Sequence, residues 1–242
     1  MIRYLFIFIW TIISTITLSL VAICTAFFSR NGNGPHEIGR RWGKSILWVS
    51  GIRIQVKGIE NLDLSKPSVF MCNHQSNFDI PVLFSALPAQ FRWIAKAELF
   101  KIPLFGRAMR GAGYISIERK ERRKAIQSLR EAAEKIRSGV SVMIFPEGTR
   151  SLDGNIGEFK KGGFFLAYDA GAQIVPIVLN GTWSIMSKDS LAIRPGNVTL
   201  SILPSVNVTD YSKADKSRLI VDVRERIVKE FESNKALKEG NQ

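Results

Sequence analysis

The stretch SVFMCNHQSNFDIPVL, residues 68–83, changes character twice. Ser68–Cys72 is a short apolar run of the kind that forms a buried strand, and Ile80-Pro81-Val82-Leu83 begins a new apolar segment suited to a helix. The polar block Asn73–Asp79 therefore sits where a strand gives way to a helix. Residues 141–151, SVMIFPEGTRS, repeat the plan: the strand Val142–Phe145 is stopped by Pro146, and Gly148 relaxes the backbone of the turn that follows. Parallel strands gather such ends into one crevice, so the two polar blocks are expected to share a site.

Working outward, β-rich runs recur at Ile52–Val56, Trp93–Ala95, Tyr114–Ile117, Ile174–Val178 and Val198–Leu203. Helical stretches separate them. Lys120–Arg137 places Ile126, Leu129, Ala133 and Ile136 on one face, and Lys213–Phe231 does the same with Ile220, Val223, Ile227 and Phe231. The alternation predicts an α/β fold, a mostly parallel or mixed sheet covered by helices, over residues 51–242.

Residues 1–50 read differently. Tyr4–Phe28 carries no charge, and a helix of that length runs roughly 37 Å, longer than the roughly 30 Å hydrocarbon core of a bilayer. The run exceeds the 7–15 residues of a signal-peptide core and ends on Phe27-Phe28, so a retained membrane anchor is expected. Arg30, Arg40, Arg41 and Lys44 follow it and Arg3 precedes it, which puts the body of the protein on the cytoplasmic side. Ser14, Thr15, Thr17 and Ser19 suit a spanning helix or one that re-enters. Asn31–Pro35 should end the helix and leave His36 in a loop. Ile38, Trp42, Ile46 and Val49 then mark a basic amphipathic helix, lying on the membrane or packed on the domain.

The chain has 242 residues, a net charge of +13 and a pI near 10.0, which points to anionic partners: nucleic acid, lipid headgroups or phosphorylated small molecules. Residues 92–137 hold thirteen Lys or Arg against five Glu. Arg92, Lys96, Arg107 and Arg110 lie near glycines and strand ends, where α/β sites form. Cys24 and Cys72 make neither a disulfide framework nor a metal motif, and a reducing compartment follows. With only His36 and His74, a histidine-rich metal site is not expected.

His74 is the candidate base. Asp79 can reach back across the short loop to Nδ1, fix the tautomer and stabilise the imidazolium. Capping the following helix is the plainer role for Asp79. A GxSxG elbow is absent and Cys72 sits too near the strand core to be an activated thiol, so the nucleophilic hydroxyl belongs to the substrate. Arg150 offers a planar guanidinium suited to phosphate, and Glu147 could take a substrate hydroxyl or hold an arginine.

These residues together resemble the glycerolipid acyltransferases, and among them the 1-acyl-sn-glycerol-3-phosphate (lysophosphatidic acid) acyltransferases. NHQSNFD is similar to the family's NHxSxxD block and FPEGTRS to its third block, while Val175-Pro176-Ile177 resembles the fourth. Gly113–Arg119 stands for the second block, GxxFIxR, with Ser116 where an aromatic is usual. Lys96–Leu99 and Ile102–Gly106 look like the segment between blocks, and the likeness covers roughly residues 35–210.

The resemblance implies transfer of a fatty acyl group from acyl-CoA or acyl-carrier protein to the sn-2 hydroxyl of lysophosphatidic acid, giving phosphatidic acid, with no metal or other cofactor. His74 and Asp79 would be catalytic. Lys96, Arg119 and Arg150 would surround the acceptor phosphate, Glu147 would position the glycerol, and Gly113, Gly148 and Thr149 would complete the substrate-binding blocks. Expected partners are the two substrates and anionic membrane lipids, with acyl-carrier protein as one form of donor. Acylation of glycerol 3-phosphate or another lysophospholipid is the sibling reading, and a scaffold without turnover is opposed by two intact motifs. A membrane-anchored nucleic-acid-binding protein is suggested by charge alone, and no such binding motif is present. Asn180, Asn197 and Asn207 begin N-x-Thr sequons that a cytoplasmic domain would leave unmodified.

Overall fold

The structure, a computed structural model, describes residues 2–29, 31–118, 121–212 and 215–239. In chain order the strands are β1 (Ile52–Lys57), β2 (Ser68–Cys72), β3 (Arg92–Lys96), β4 (Ile115–Ile117), β5 (Val142–Ile144), β6 (Gln173–Asn180) and β7 (Gly196–Ile202). The helices are α1 (Ile2–Phe28), α2 (Asn33–Ser50), α3 (Asp79–Ala86), α4 (Phe105–Gly111), α5 (Arg122–Arg137), α6 (Lys161–Ala170), α7 (Thr182–Ile185) and α8 (Lys216–Glu239).

The strands form one sheet in the order β1-β7-β6-β2-β5-β3-β4, parallel at every pairing except β6 with β7. This is the expected mixed α/β sheet, and each of the seven apolar runs became a strand. Alternation along β2 shows why both faces need helices. Phe70 and Cys72 pack with Val82, Leu83 and Phe91, whereas Val69 and Met71 pack on the opposite face with Ile136, Leu166 and Ile227. The second face belongs to α5, α6 and α8. The first is covered by α3, with α2 laid across it.

Helices α1 and α2 form an antiparallel pair. Arg3 Nη2 donates to the Ser50 carbonyl at 2.8 Å, Trp10 Nε1 to Ser45 Oγ at 3.4 Å and Trp42 Nε1 to Thr15 Oγ1 at 3.0 Å. The α2 helix meets α3 closely because Gly43 has no side chain: a Cβ there would stand 2.8 Å from the Pro81 carbonyl oxygen. Much of α1 stays outside the core, with Phe6, Phe8, Ile12, Ile16, Phe27 and Phe28 exposed.

Two expectations for this region need correction. The linker is far shorter than a 31–35 turn, because α2 begins at Asn33 and takes Pro35 into its first turn, where a missing N–H leaves no helical bond unmade. His36 is accordingly no loop residue. It is fully buried on α2, with its ring centroid 4.6 Å from that of Phe91 and Nδ1 3.2 Å from the Tyr114 hydroxyl.

Candidate active site

The loop between β2 and α3 is held at several points. The side-chain amide of Asn73 donates to the Leu179 carbonyl at 2.9 Å and accepts from the Leu179 N–H at 2.8 Å, extending the β2–β6 pairing by one rung. Gln75 Nε2 donates to the Gly154 carbonyl at 2.7 Å, and Ser76 Oγ donates to the Met186 carbonyl at 2.6 Å. Polar groups that would otherwise be unmatched in a buried loop thus become its fastenings.

Asp79, fully buried as the first residue of α3, does reach back. Its Oδ2 lies 2.8 Å from His74 Nδ1 and accepts the Gln75 and Ser76 N–H groups at 2.7 and 2.9 Å. Among the described residues no side-chain bond caps α3 at Phe78, so the carboxylate is used by the loop and not by the helix. With Nδ1 bonded to a carboxylate, Nε2 is the nitrogen left to accept a proton.

FPEGTRS lies directly against this loop. The Phe145 ring stacks on the imidazole at 3.9 Å and 8°. Glu147 Oε1 accepts the His74 N–H at 2.7 Å, its Oε2 accepts the Gly157 N–H at 2.8 Å, and the Ser151 N–H donates to the His74 carbonyl at 2.8 Å. Burial pushes the Glu147 pKa up, against the opposing pull of these two amides and of His74. The Cys72 thiol is driven well up by burial and then by Asp79 and Glu147, which removes it as a nucleophile.

A cavity of about 740 Å³ opens from His74. Around its polar end stand Lys96, Gly148, Thr149, Arg150 and Lys188, and away from it the walls are Leu18 and Ala22 of α1, Ile38 and Trp42 of α2, and Phe105, Ala108 and Met109 of α4. Arg150 Nη1 donates to the Lys188 carbonyl at 3.2 Å and Lys188 Nζ to Thr149 Oγ1 at 3.3 Å.

Of the residues singled out in the sequence, His74, Asp79, Lys96, Gly148, Thr149 and Arg150 come together here. Glu147 lies behind His74, 5 % exposed, and not in the cavity wall. Gly113 is a left-handed turn residue (φ +73°) outside the wall, and its carbonyl accepts Lys135 Nζ at 3.4 Å; its neighbour Tyr114 lines the cavity instead. Arg119 lies outside the described residues. Among the other cations, Arg92 fastens the α1–α2 turn by donating to the Asn31 carbonyl at 2.8 Å and to Asn33 Oδ1, and Arg110 donates to the Phe100 carbonyl at 2.7 Å. Lys188 went unnoticed in the sequence, where a lysine between Ser187 and Asp189 looks like any solvated loop residue.

Comparison with known proteins identifies the family. The acyltransferase family model matches residues 53–180. A chloroplastic 1-acyl-sn-glycerol-3-phosphate acyltransferase of Arabidopsis thaliana is 41 % identical over 182 residues, 74 % of this chain and 50 % of the relative. A 1-acyl-sn-glycerol-3-phosphate acyltransferase of Borreliella burgdorferi is 31 % identical over 79 % of this chain and 77 % of its own. The crystal structure of the 1-acyl-sn-glycerophosphate acyltransferase PlsC from Thermotoga maritima superposes with a TM-score of 0.84 at 28 % identity, covering 97 % of this chain and 95 % of that one. The chain spans about half the length of the chloroplastic relatives of Arabidopsis thaliana and Brassica napus that it matches. By family model, relatives and fold together, the chain belongs to the acyltransferase family.

Proposed function

We propose that the protein transfers a fatty acyl group from an acyl thioester to the sn-2 hydroxyl of 1-acyl-sn-glycerol 3-phosphate, forming phosphatidic acid. The carrying observation is the placement of the His74–Asp79 pair in a cavity that also carries Lys96, Arg150 and Lys188 and whose remaining walls are mostly apolar. A phosphate beside Lys96, Arg150 and Lys188 brings an acceptor hydroxyl to the imidazole, and the apolar walls suit a fatty chain. His74 Nε2 takes the hydroxyl proton as the oxygen attacks the thioester carbonyl. As the C–S bond breaks, the imidazolium returns that proton to the leaving thiolate, while Asp79 keeps the ring oriented. No step is assigned to a metal or another cofactor.

The same reading sets the protein on a membrane, with the α/β domain on the cytoplasmic side. Helix α1 is flanked along its length by α2, which carries exposed Arg41 and Lys44 and is itself packed on the domain, so a bilayer could not surround it. Lying in one leaflet fits better. The exposed apolar face of α1 would enter the acyl region, and Arg41 and Lys44 would meet anionic headgroups.

The test is purified protein in mixed micelles with labelled oleoyl-CoA or oleoyl-acyl-carrier protein and a panel of acceptors. Phosphatidic acid should form from lysophosphatidic acid, with either donor identifying the carrier used. Preference for glycerol 3-phosphate or for a lysolipid without a phosphomonoester would defeat the proposal.

A further inference from the structure

Glu147 is the member of FPEGTRS whose geometry departs most from a substrate-binding role. A carboxylate buried to 5 % exposure is costly unless its oxygens are bonded, and here each oxygen accepts one backbone N–H. One of those amides is that of His74 itself. The other, of Gly157, is reachable because that residue has no side chain: a Cβ there would stand 3.2 Å from Oε2.

The neighbouring residues of the motif act on the same target. Phe145 sets the plane of the imidazole and Ser151 holds the His74 carbonyl, so residues 145, 147 and 151 fix the ring face, the N–H and the C=O of one residue. Asp79 fixes the remaining rotation through Nδ1. Phe145, Thr149 and Arg150 line the cavity, whereas Glu147 and Ser151 stand behind His74 and do not. We propose that Glu147 is a positioning residue for His74, the centre of a three-point grip exerted by FPEGTRS, and makes no contact with the acceptor. The inference rests on the acyl-transfer reading for its kinetic test.

Two N–H donors require two acceptors, which explains why glutamate is needed. Glutamine supplies one acceptor and one NH₂ group, and the NH₂ group would face an N–H. Glu147→Gln should therefore loosen the histidine without touching the substrate. The kcat for lysophosphatidic acid should fall about 10- to 100-fold, the scale of a small misplacement of a catalytic group, while the acceptor KM stays within about threefold. Added to Arg150→Ala, the two losses should multiply; added to His74→Ala, Glu147→Gln should cost nothing further, because the base it positions is gone. A tenfold rise in acceptor KM with kcat within threefold of wild type, or a further loss in the His74→Ala background, would overturn the proposal. Gly157→Ala tests the grip if Glu147→Gln does not fold: its Cβ would crowd Glu147 Oε2 at 3.2 Å without entering the cavity wall, and it should lower kcat about three- to tenfold with the acceptor KM within about threefold. A raised acceptor KM with normal kcat in Gly157→Ala counts against the grip. Wild-type turnover separates the two hypotheses, since protein that does not acylate lysophosphatidic acid refutes the functional reading. In that event the imidazole Nδ1 proton resonance of labelled protein still tests positioning: Glu147→Gln should shift it, and an unmoved signal would sink the inference.

Discussion

The two ends of the cavity are built by different means. At the polar end, side chains from the loops after β2 and β5 and from the segment before β7 are tied to one another by short hydrogen bonds between residues as far apart as His74 and Glu147, or Ser76 and Met186. At the other end, α1, α2 and α4 present Leu18, Ala22, Ile38, Ala108 and Met109, whose packing has no direction to satisfy. Hydrogen bonds fix angles, and a base must be aimed; dispersion and the hydrophobic effect fix only volume and contact, which suffices for a hydrocarbon chain. The first end should therefore fail sharply when one residue changes, and the second should yield by degrees.

The largest effect expected is at the aimed base. His74→Ala should lower kcat by about two to four orders of magnitude, the usual loss for a general base, with little change in thermal stability. Asp79→Ala should come close to it, and the double variant should be scarcely worse than the poorer single one, because an oriented base can be lost only once. Steady-state kinetics at saturating lysophosphatidic acid and acyl-CoA would decide. Near-normal turnover in His74→Ala would leave the polar end without its function.

A smaller effect of another kind is expected at the cations. Arg150→Ala removes a charge-assisted contact worth roughly 1.5–3 kcal/mol, so the acceptor KM should rise while that of the donor moves less. Lys188→Ala should act in the same direction but more weakly, since it removes the ammonium beside Thr149 while the backbone carbonyl that holds Arg150 stays in place. Equal rises for both substrates would place these groups at the donor, or make them merely structural.

This contrast also governs what could be read in advance. The central strands were legible because buried strands of a parallel sheet are near-continuous apolar runs, the edge strand β1 by its alternation of apolar and polar residues, and β2 and β5 end on polar motifs too dense to be ordinary turns. The His74–Asp79 pair spans five residues, within reach of local reasoning. Glu147 and the His74 amide are 73 residues apart, and no local pattern announces that a carboxylate will spend both oxygens on backbone N–H groups. Helices α4 and α6 are short and contain glycines, so apolar periodicity hardly marks them. His36 was misread because its neighbours Gly34 and Pro35 look like a turn, although proline is at home in a helix's first turn.

That misreading points to the smallest effect, at the joint between the helical wall and the sheet. His36 is enclosed by Phe84, Phe91 and Tyr114, and its pKa is lowered from 6.5 to about 3 by burial first, then by the Arg92 and Arg40 charges. The folded protein thus keeps His36 neutral where the unfolded chain would bind a proton. The unfolded state gains protons first as pH falls, so this group's contribution is intact above pH 6.5 and is lost progressively towards pH 3. At pH 5 the loss should be about 2 kcal/mol, taking 1.36 kcal/mol for each unit below the unfolded value. His36→Phe keeps an apolar ring in the aromatic cluster and removes the titration. Its denaturation midpoint, measured in detergent at pH 7 and pH 5, should therefore fall less than that of wild type. The carboxylates titrate in both proteins and cancel in the comparison. Equal falls would mean that the joint between α2 and the sheet opens enough to solvate His36, and the helical wall would then be looser than its packing indicates.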